Sequence, residues 1–209
     1  MSDFLLQQMV AGRAPAPVSF SVDQLHRMLE LGILPDGEPV ELLDGILVKE
    51  ERGGGGSLVH GASHALAVTL LARFDRLLDP RRCHLRSQLP LTLSARDEPE
   101  PDAAVVLGPP TRYAREHPGP SQTTLVVEVA DSSLEHDRTT KQRLYAASQI
   151  PHYWIVNLRD HQLETFRDPV STKSTYASGR IYKPGEDVMV DLEGMALKIS
   201  VDEILPPSP

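Results

Sequence analysis

A single cysteine, Cys83, stands in this 209-residue chain. It excludes an internal disulfide and fits a reducing compartment. No activating residues surround it, so it reads as a buried or half-buried thiol rather than a nucleophile. No apolar run approaches the ~20 residues that a bilayer span needs. The opening Met1-Ser2-Asp3-Phe4 has no basic stretch and no small-residue cleavage signature, so no signal peptide is expected and a cytoplasmic location is. Internal repeats are lacking, as is a zinc finger or other reader module. Four consecutive glycines, 53 to 56, are present, but no Gly-Lys-Ser/Thr closes the run and no strand feeds it with dinucleotide spacing. A loop is expected there, not a phosphate cradle. Positive charge is also short. The formal net charge is −8, which opposes non-specific binding to phosphates, although Arg73, Arg76, Arg81, Arg82 and Arg86 form one local basic cluster and Arg138, Lys141 and Arg143 another.

The length suits one domain with a real core. We expect an N-terminal arm over 1–18, a single domain over 19–205 and a short tail over 206–209. The 18 prolines gather near the ends and between Pro90 and Pro120, marking loops and edges. Ser21 followed by Gln24 is a capping box, and the apolar stripe Leu25, Met28, Leu29, Leu31 predicts a helix near 21–31 that Gly32 ends. Asp44-Gly45 between apolar runs predicts a type I′ hairpin. A long helix is expected over about 59–78, ending before Pro80. Alternation predicts a strand over 84–94, made an edge or a bulge by Pro90. Strands are also expected from Pro101 to Leu107, over Leu125–Ala130 and over Tyr153–Leu158, the last with a hairpin partner after Asp160. A loop over 109–123 offers Arg112, Tyr113, Arg115 and His117 to a ligand, and 188–205 reads as a β-rich tail.

The chain is organised around 125–145. An apolar, β-branched strand carries one carboxylate, Glu128, and turn-forming residues Asp131-Ser132-Ser133 break it. The helix that follows, about 134–148, sets Asp137, Lys141 and Tyr145 at spacings of four on one face. A charge inside an apolar strand is costly unless it is paired or bound to metal. Glu41 and Asp102 repeat the pattern, a carboxylate in or beside an apolar strand. Carboxylates from neighbouring strands can share one divalent ion with oxygen ligands, which suits Mg²⁺. Such an ion polarises a phosphoryl oxygen, and a nearby lysine offsets developing negative charge. Taken singly, each residue also has a structural reading: Asp102 caps a turn, Lys141 pairs with Asp137 in solvent, and Glu41 faces water. His60 and His64, one helical turn apart, lack the intervening Glu of a zinc motif.

Glu41-Leu42-Leu43-Asp44-Gly45, His60, Pro101-Asp102, Val127-Glu128-Val129, Asp137-x-x-x-Lys141, Tyr145 and Ile150-Pro151-His152-Tyr153-Trp154-Ile155-Val156 together resemble the signature of the Uma-two family. Its members are restriction-endonuclease-like proteins of the PD-(D/E)xK nuclease superfamily. The resemblance covers about 20–166. It implies an α/β (α+β) fold with a restriction-endonuclease-like core, a mixed central sheet flanked by helices, with β-hairpin additions in the N- and C-terminal parts. It also implies an Mg²⁺- or Mn²⁺-dependent endonuclease acting on DNA as a homodimer. Asp102 and Glu128 would be metal ligands with the Val129 carbonyl as a third, Lys141 the catalytic lysine, and Glu41 and His60 auxiliary site residues. In the superfamily pattern the lysine stands two positions after the Glu, where this chain has Ala130; the Uma-two pattern moves it to the following helix. The competing expectation is a catalytically inactive module of the same fold that binds nucleic acid or a protein. A purely structural protein needs no buried carboxylates.

Overall fold

The computed structural model describes residues 18–207 apart from 36, 38 and 50–57, and for 58–60 it describes the backbone alone. The expected arm up to residue 17, the glycine run and the last two residues of the tail therefore lie outside the described residues.

Helix α1 (Val22–Glu30) starts with the expected box: the Ser21 hydroxyl accepts from the Gln24 amide, and the Gln24 side chain accepts from the Ser21 amide. Strands β1 (Val40–Leu43) and β2 (Ile46–Lys49) form the Asp44-Gly45 hairpin. Both turn residues have positive φ, 52° and 80°, as a type I′ turn requires. Helix α2 (Leu58–Arg73) continues as a 3₁₀ turn, Phe74–Leu77, so the expected long helix tightens in its last turn. Next come β3 (Cys83–Ser87), β4 (Ala103–Leu107) and β5 (Thr123–Ala130). Segment 134–147, called α3, precedes β6 (His152–Asn157), β7 (Gln162–Val170) and β8 (Thr175–Tyr182). A separate hairpin, β9 (Asp187–Asp191) with β10 (Ala196–Ser200), ends the fold. The chain after it makes a 3₁₀ turn, Val201–Glu203, where the sequence pattern suggested more strand.

The central sheet runs β3-β4-β5-β6-β7-β8. All pairs are antiparallel except β5 with β6, the pair whose connection is α3, as a parallel crossover requires. Strand β3 is an edge, as expected, but it is shorter than the alternation suggested. It stops at Gln88, whose φ is +50°, and beyond it Leu91 and Leu93 are buried without strand pairing.

Period two divides the sheet's side chains between two cores. Ala103, Val105, Val127, Val129 and Trp154 pack with Ala67, Leu71 and Phe74 and with Val188, Val190 and Ile199 of the terminal hairpin. On the opposite face Ala104, Val126, Ala130, Tyr153 and Ile155 pack with Leu134, Leu144 and Tyr145. The mixed sheet flanked by helices and the two added hairpins match the expected architecture. Burial on both faces explains why β5 reads as a continuous apolar run rather than an alternation. Among the described residues no helix is long and apolar enough to cross a membrane.

Candidate active site

The site grows from the register of β4 and β5. Ala103 lies opposite Val127, and one further antiparallel step sets Asp102 opposite Glu128. Both carboxylates therefore arrive at one place, although they are far apart along the chain. The Asp102 amide donates to Glu128 Oε2 at 3.3 Å, and the Val129 amide donates to Asp102 Oδ2 at 2.8 Å. Like charges directly across a ladder destabilise it, so this pairing needs positive charge from elsewhere.

Segment α3 supplies that charge. It opens with an α-helical turn (Leu134–His136), passes into a π-helical turn (Asp137–Lys141) and returns to α-helix (Gln142–Ala147). The Gln142 amide donates to the Asp137 carbonyl five residues back. The Tyr153 hydroxyl on β6 donates to that same carbonyl at 3.0 Å. A regular helix was expected here. The extra residue in this turn changes the angle at which Lys141 leaves the helix, and π turns of this kind recur at functional sites. Lys141 Nζ sits 2.5 Å from Glu41 Oε1 and 3.2 Å from Glu128 Oε1. The lysine thus bridges two carboxylates instead of pairing with Asp137 in solvent.

Glu41 comes from β1. That hairpin is docked by reciprocal backbone bonds between Leu42 and Glu98, and the Glu100 amide donates to Glu41 Oε1 at 2.6 Å. Relative exposures are 1% for Glu41, 8% for Asp102, 2% for Glu128 and 1% for Lys141. A water-facing role for Glu41 is therefore ruled out. Three residues beyond the expected set also reach the cluster. Tyr145 donates its hydroxyl to Glu128 Oε1 at 2.7 Å, and His64 Nε2 lies 3.2 Å from Asp102 Oδ1. Gln88 Nε2 lies 3.4 Å from the same Asp102 oxygen. His64 stands one turn after His60 on α2; of the two, His64 is the one seen at Asp102, and the His60 side chain lies outside the described residues. Val129 meets the site through its N–H, donated to Asp102.

Burial pushes the Glu128 carboxyl well above the usual carboxylate range. Lys141 works against that shift, while Asp137, Asp102 and Glu41 add to it. Asp137, buried with its side chain accepting from the Ser133 hydroxyl, is pushed up to about 6, chiefly by burial. The Tyr145 hydroxyl is driven well above its ordinary value, first by burial and then by the Glu128 charge, so it stays a donor. Three further carboxylates (Glu41, Asp102, Asp137) thus act on Glu128 together with one ammonium, Lys141. That excess of negative charge, supplied as oxygen donors, is the chemistry of a hard divalent cation site.

The chain resembles known proteins in both family and fold. A family model, Uma2, described as "Putative restriction endonuclease", matches residues 22–201. A solved structure from Anabaena variabilis ATCC 29413, described as a "putative nuclease belonging to DUF820", superposes with a TM-score of 0.60. The two chains are 16% identical, and the match covers 90% of this chain and 97% of that one. At that identity the likeness is one of fold. No curated protein matches the chain in sequence.

Proposed function

Because the chain belongs to the Uma2 family, we propose that it is a divalent-metal-dependent endonuclease hydrolysing DNA phosphodiester bonds at the Asp102/Glu128/Lys141 cluster. One observation carries the reading: Asp102, Glu128, Glu41 and Lys141 converge from four separate elements into a buried site. Such a concentration of charge stabilises the fold poorly, so a catalytic role accounts for it better than a structural one.

The donor set fits Mg²⁺ or Mn²⁺, with Asp102 and Glu128 as the carboxylate ligands and the Val129 carbonyl beside them. Once bound, the ion would polarise the phosphoryl group and lower the pKa of a bound water. The chain's own residues hold the rest of the arrangement. Lys141 brings a fixed positive charge against Glu128, where it offsets negative charge developing on the phosphate. Glu41 anchors that ammonium. Tyr145 holds the Glu128 carboxylate by one oxygen, and the Val129 amide holds Asp102, so neither ligand must reorganise. His64 sits within proton-transfer distance of Asp102. DNA as the substrate, and a homodimer presenting one site to each strand, belong to the same reading.

The test is cleavage of plasmid DNA with and without Mg²⁺ or Mn²⁺. Metal-dependent nicking that disappears in Asp102→Ala and in Lys141→Ala is the expected result. Cleavage unchanged by both substitutions removes these residues from the mechanism. The near-complete burial of Glu41, Glu128 and Lys141 favours one alternative, a non-catalytic module that keeps the cluster as an internal ion-pair network. Calorimetric titration separates the two. Binding of Mg²⁺ that is lost in Glu128→Ala supports the nuclease, and no heat at millimolar metal supports the module.

A further inference from the structure

A second cluster of ligating side chains lies apart from the carboxylate site. His26 on α1, Glu98 in the strap before β4 and His117 in the 108–119 loop bring one ligand atom each within 4.8 Å of one another. From this arrangement the geometry points to a zinc-class transition-metal site, held by two imidazoles and one carboxylate and distinct from the Asp102/Glu128 cluster.

Two of the ligands are already held by hydrogen bonds. Glu98 is buried. Its Oε1 lies 2.7 Å from His26 Nε2, and its Oε2 accepts from the Thr92 hydroxyl at 2.6 Å. Thr92 thus fixes one carboxylate oxygen and leaves the other aimed at the histidines, the arrangement by which an outer partner orients a ligating carboxylate. The Thr92 amide also donates to the Pro118 carbonyl at 3.0 Å, which ties the His117 loop to the segment before β4. The rings of His26 and His117 meet edge to face at 5.9 Å between centroids. His26, Thr92 and His117 line one side of an open cleft of about 660 Å³, so an ion has a path in. Two imidazole nitrogens and one oxygen suit Zn²⁺, Co²⁺ or Ni²⁺, while Mg²⁺ prefers oxygen alone. Burial pushes the His117 imidazole below its ordinary value; Glu98 works against that shift, and the nearby Arg86 charge adds to it. The Arg86 charge also repels a cation, and the Glu98 carboxylate must outweigh it. Without metal, the His26–Glu98 hydrogen bond occupies the place of the bond that a metal ion would replace.

The site would join three elements: α1, the strap before β4 and the 108–119 loop. Glu98 stands four residues before Asp102, and between them the Glu100 amide donates to Glu41. Metal at this cluster would therefore stiffen the strap that carries Asp102.

The experiment is calorimetric titration of ZnCl₂ into the metal-stripped full chain, with millimolar Mg²⁺ present to occupy the carboxylate site. The d–d absorption of Co²⁺ serves as a second readout. One zinc per chain is expected in the wild type and equally in Asp102→Asn. His26→Gln and His117→Gln should lose the high-affinity phase, and Thr92→Val should weaken it about 10- to 100-fold. His117 stands in a half-buried loop, so its substitution tests the site even if changes at buried Glu98 prevent folding. The proposal is overturned if the wild type takes up no zinc, if both histidine variants bind as the wild type does, or if Asp102→Asn alone abolishes uptake.

Discussion

Lys141→Ala is the most informative single change. The ammonium is fully buried and bonded to Glu41 and Glu128. Removing it leaves two carboxylates in a dry interior without their counter-charge. Breaking a buried pair in this way costs about 3–5 kcal/mol, a large share of a total stability near 5–15 kcal/mol. The cost should depend on pH, and the direction follows from Glu128. Its folded-state pKa already lies above the ordinary value, so between the two values the native state holds a proton that the unfolded chain has released. Stability therefore falls as pH rises through that window. Without Lys141, Glu128 holds its proton more tightly still, so the deficit should be smaller at pH 5 than at pH 8. Urea unfolding of both proteins at those two pH values measures the difference. The triple variant Glu41→Gln/Glu128→Gln/Lys141→Met removes both carboxylates together with the lysine and should recover much of the loss. A deficit under about 1 kcal/mol at pH 8, or one that does not change between pH 5 and 8, would refute the account of a buried bridging lysine.

Three further predictions are open to direct test. Asp137, pushed up to about 6 from an ordinary 3.8, should make the metal-free protein lose about 3 kcal/mol of stability as pH rises across that interval; in Asp137→Asn this slope should flatten, which denaturation at a series of pH values would read. Tyr145→Phe removes a buried donor to Glu128 Oε1 and should cost about 1–3 kcal/mol, with metal binding shifted to higher pH because Glu128 takes up its proton more readily; an unchanged pH profile in calorimetry would contradict the role given to the hydroxyl. Ser21→Ala deletes the cap of α1 and should cost about 1 kcal/mol in thermal unfolding, leaving plasmid cleavage unchanged.

Much of the architecture was legible in local pattern. The Asp44-Gly45 turn, the Ser21 box and the apolar run of β5 carry their structures in their own residues, because turn dihedrals, cap bonds and burial on both sheet faces are satisfied within a few positions. Glu128 announced itself for the same reason: a carboxylate in an apolar strand demands a partner. Misses came where a distant element overrode a local preference. The turn at Asp137–Lys141 is π-helical, and the Asp137 carbonyl at its start also accepts from the Tyr153 hydroxyl of the next strand. Strand β3 stops at Gln88, and no alternation in Leu89 to Leu93 reveals that these residues fold away from the ladder.

Residue types and spacing alone established that several carboxylates and one lysine required burial partners, since the cost of an isolated charge is the same wherever the chain goes. Which of them meet was decided only in three dimensions. The antiparallel register of β4 on β5 puts Asp102 beside Glu128, the docked hairpin brings Glu41, and α2 delivers His64. Those contacts span up to about a hundred residues of sequence, and pairing across such distances depends on how whole elements pack, which no local pattern encodes.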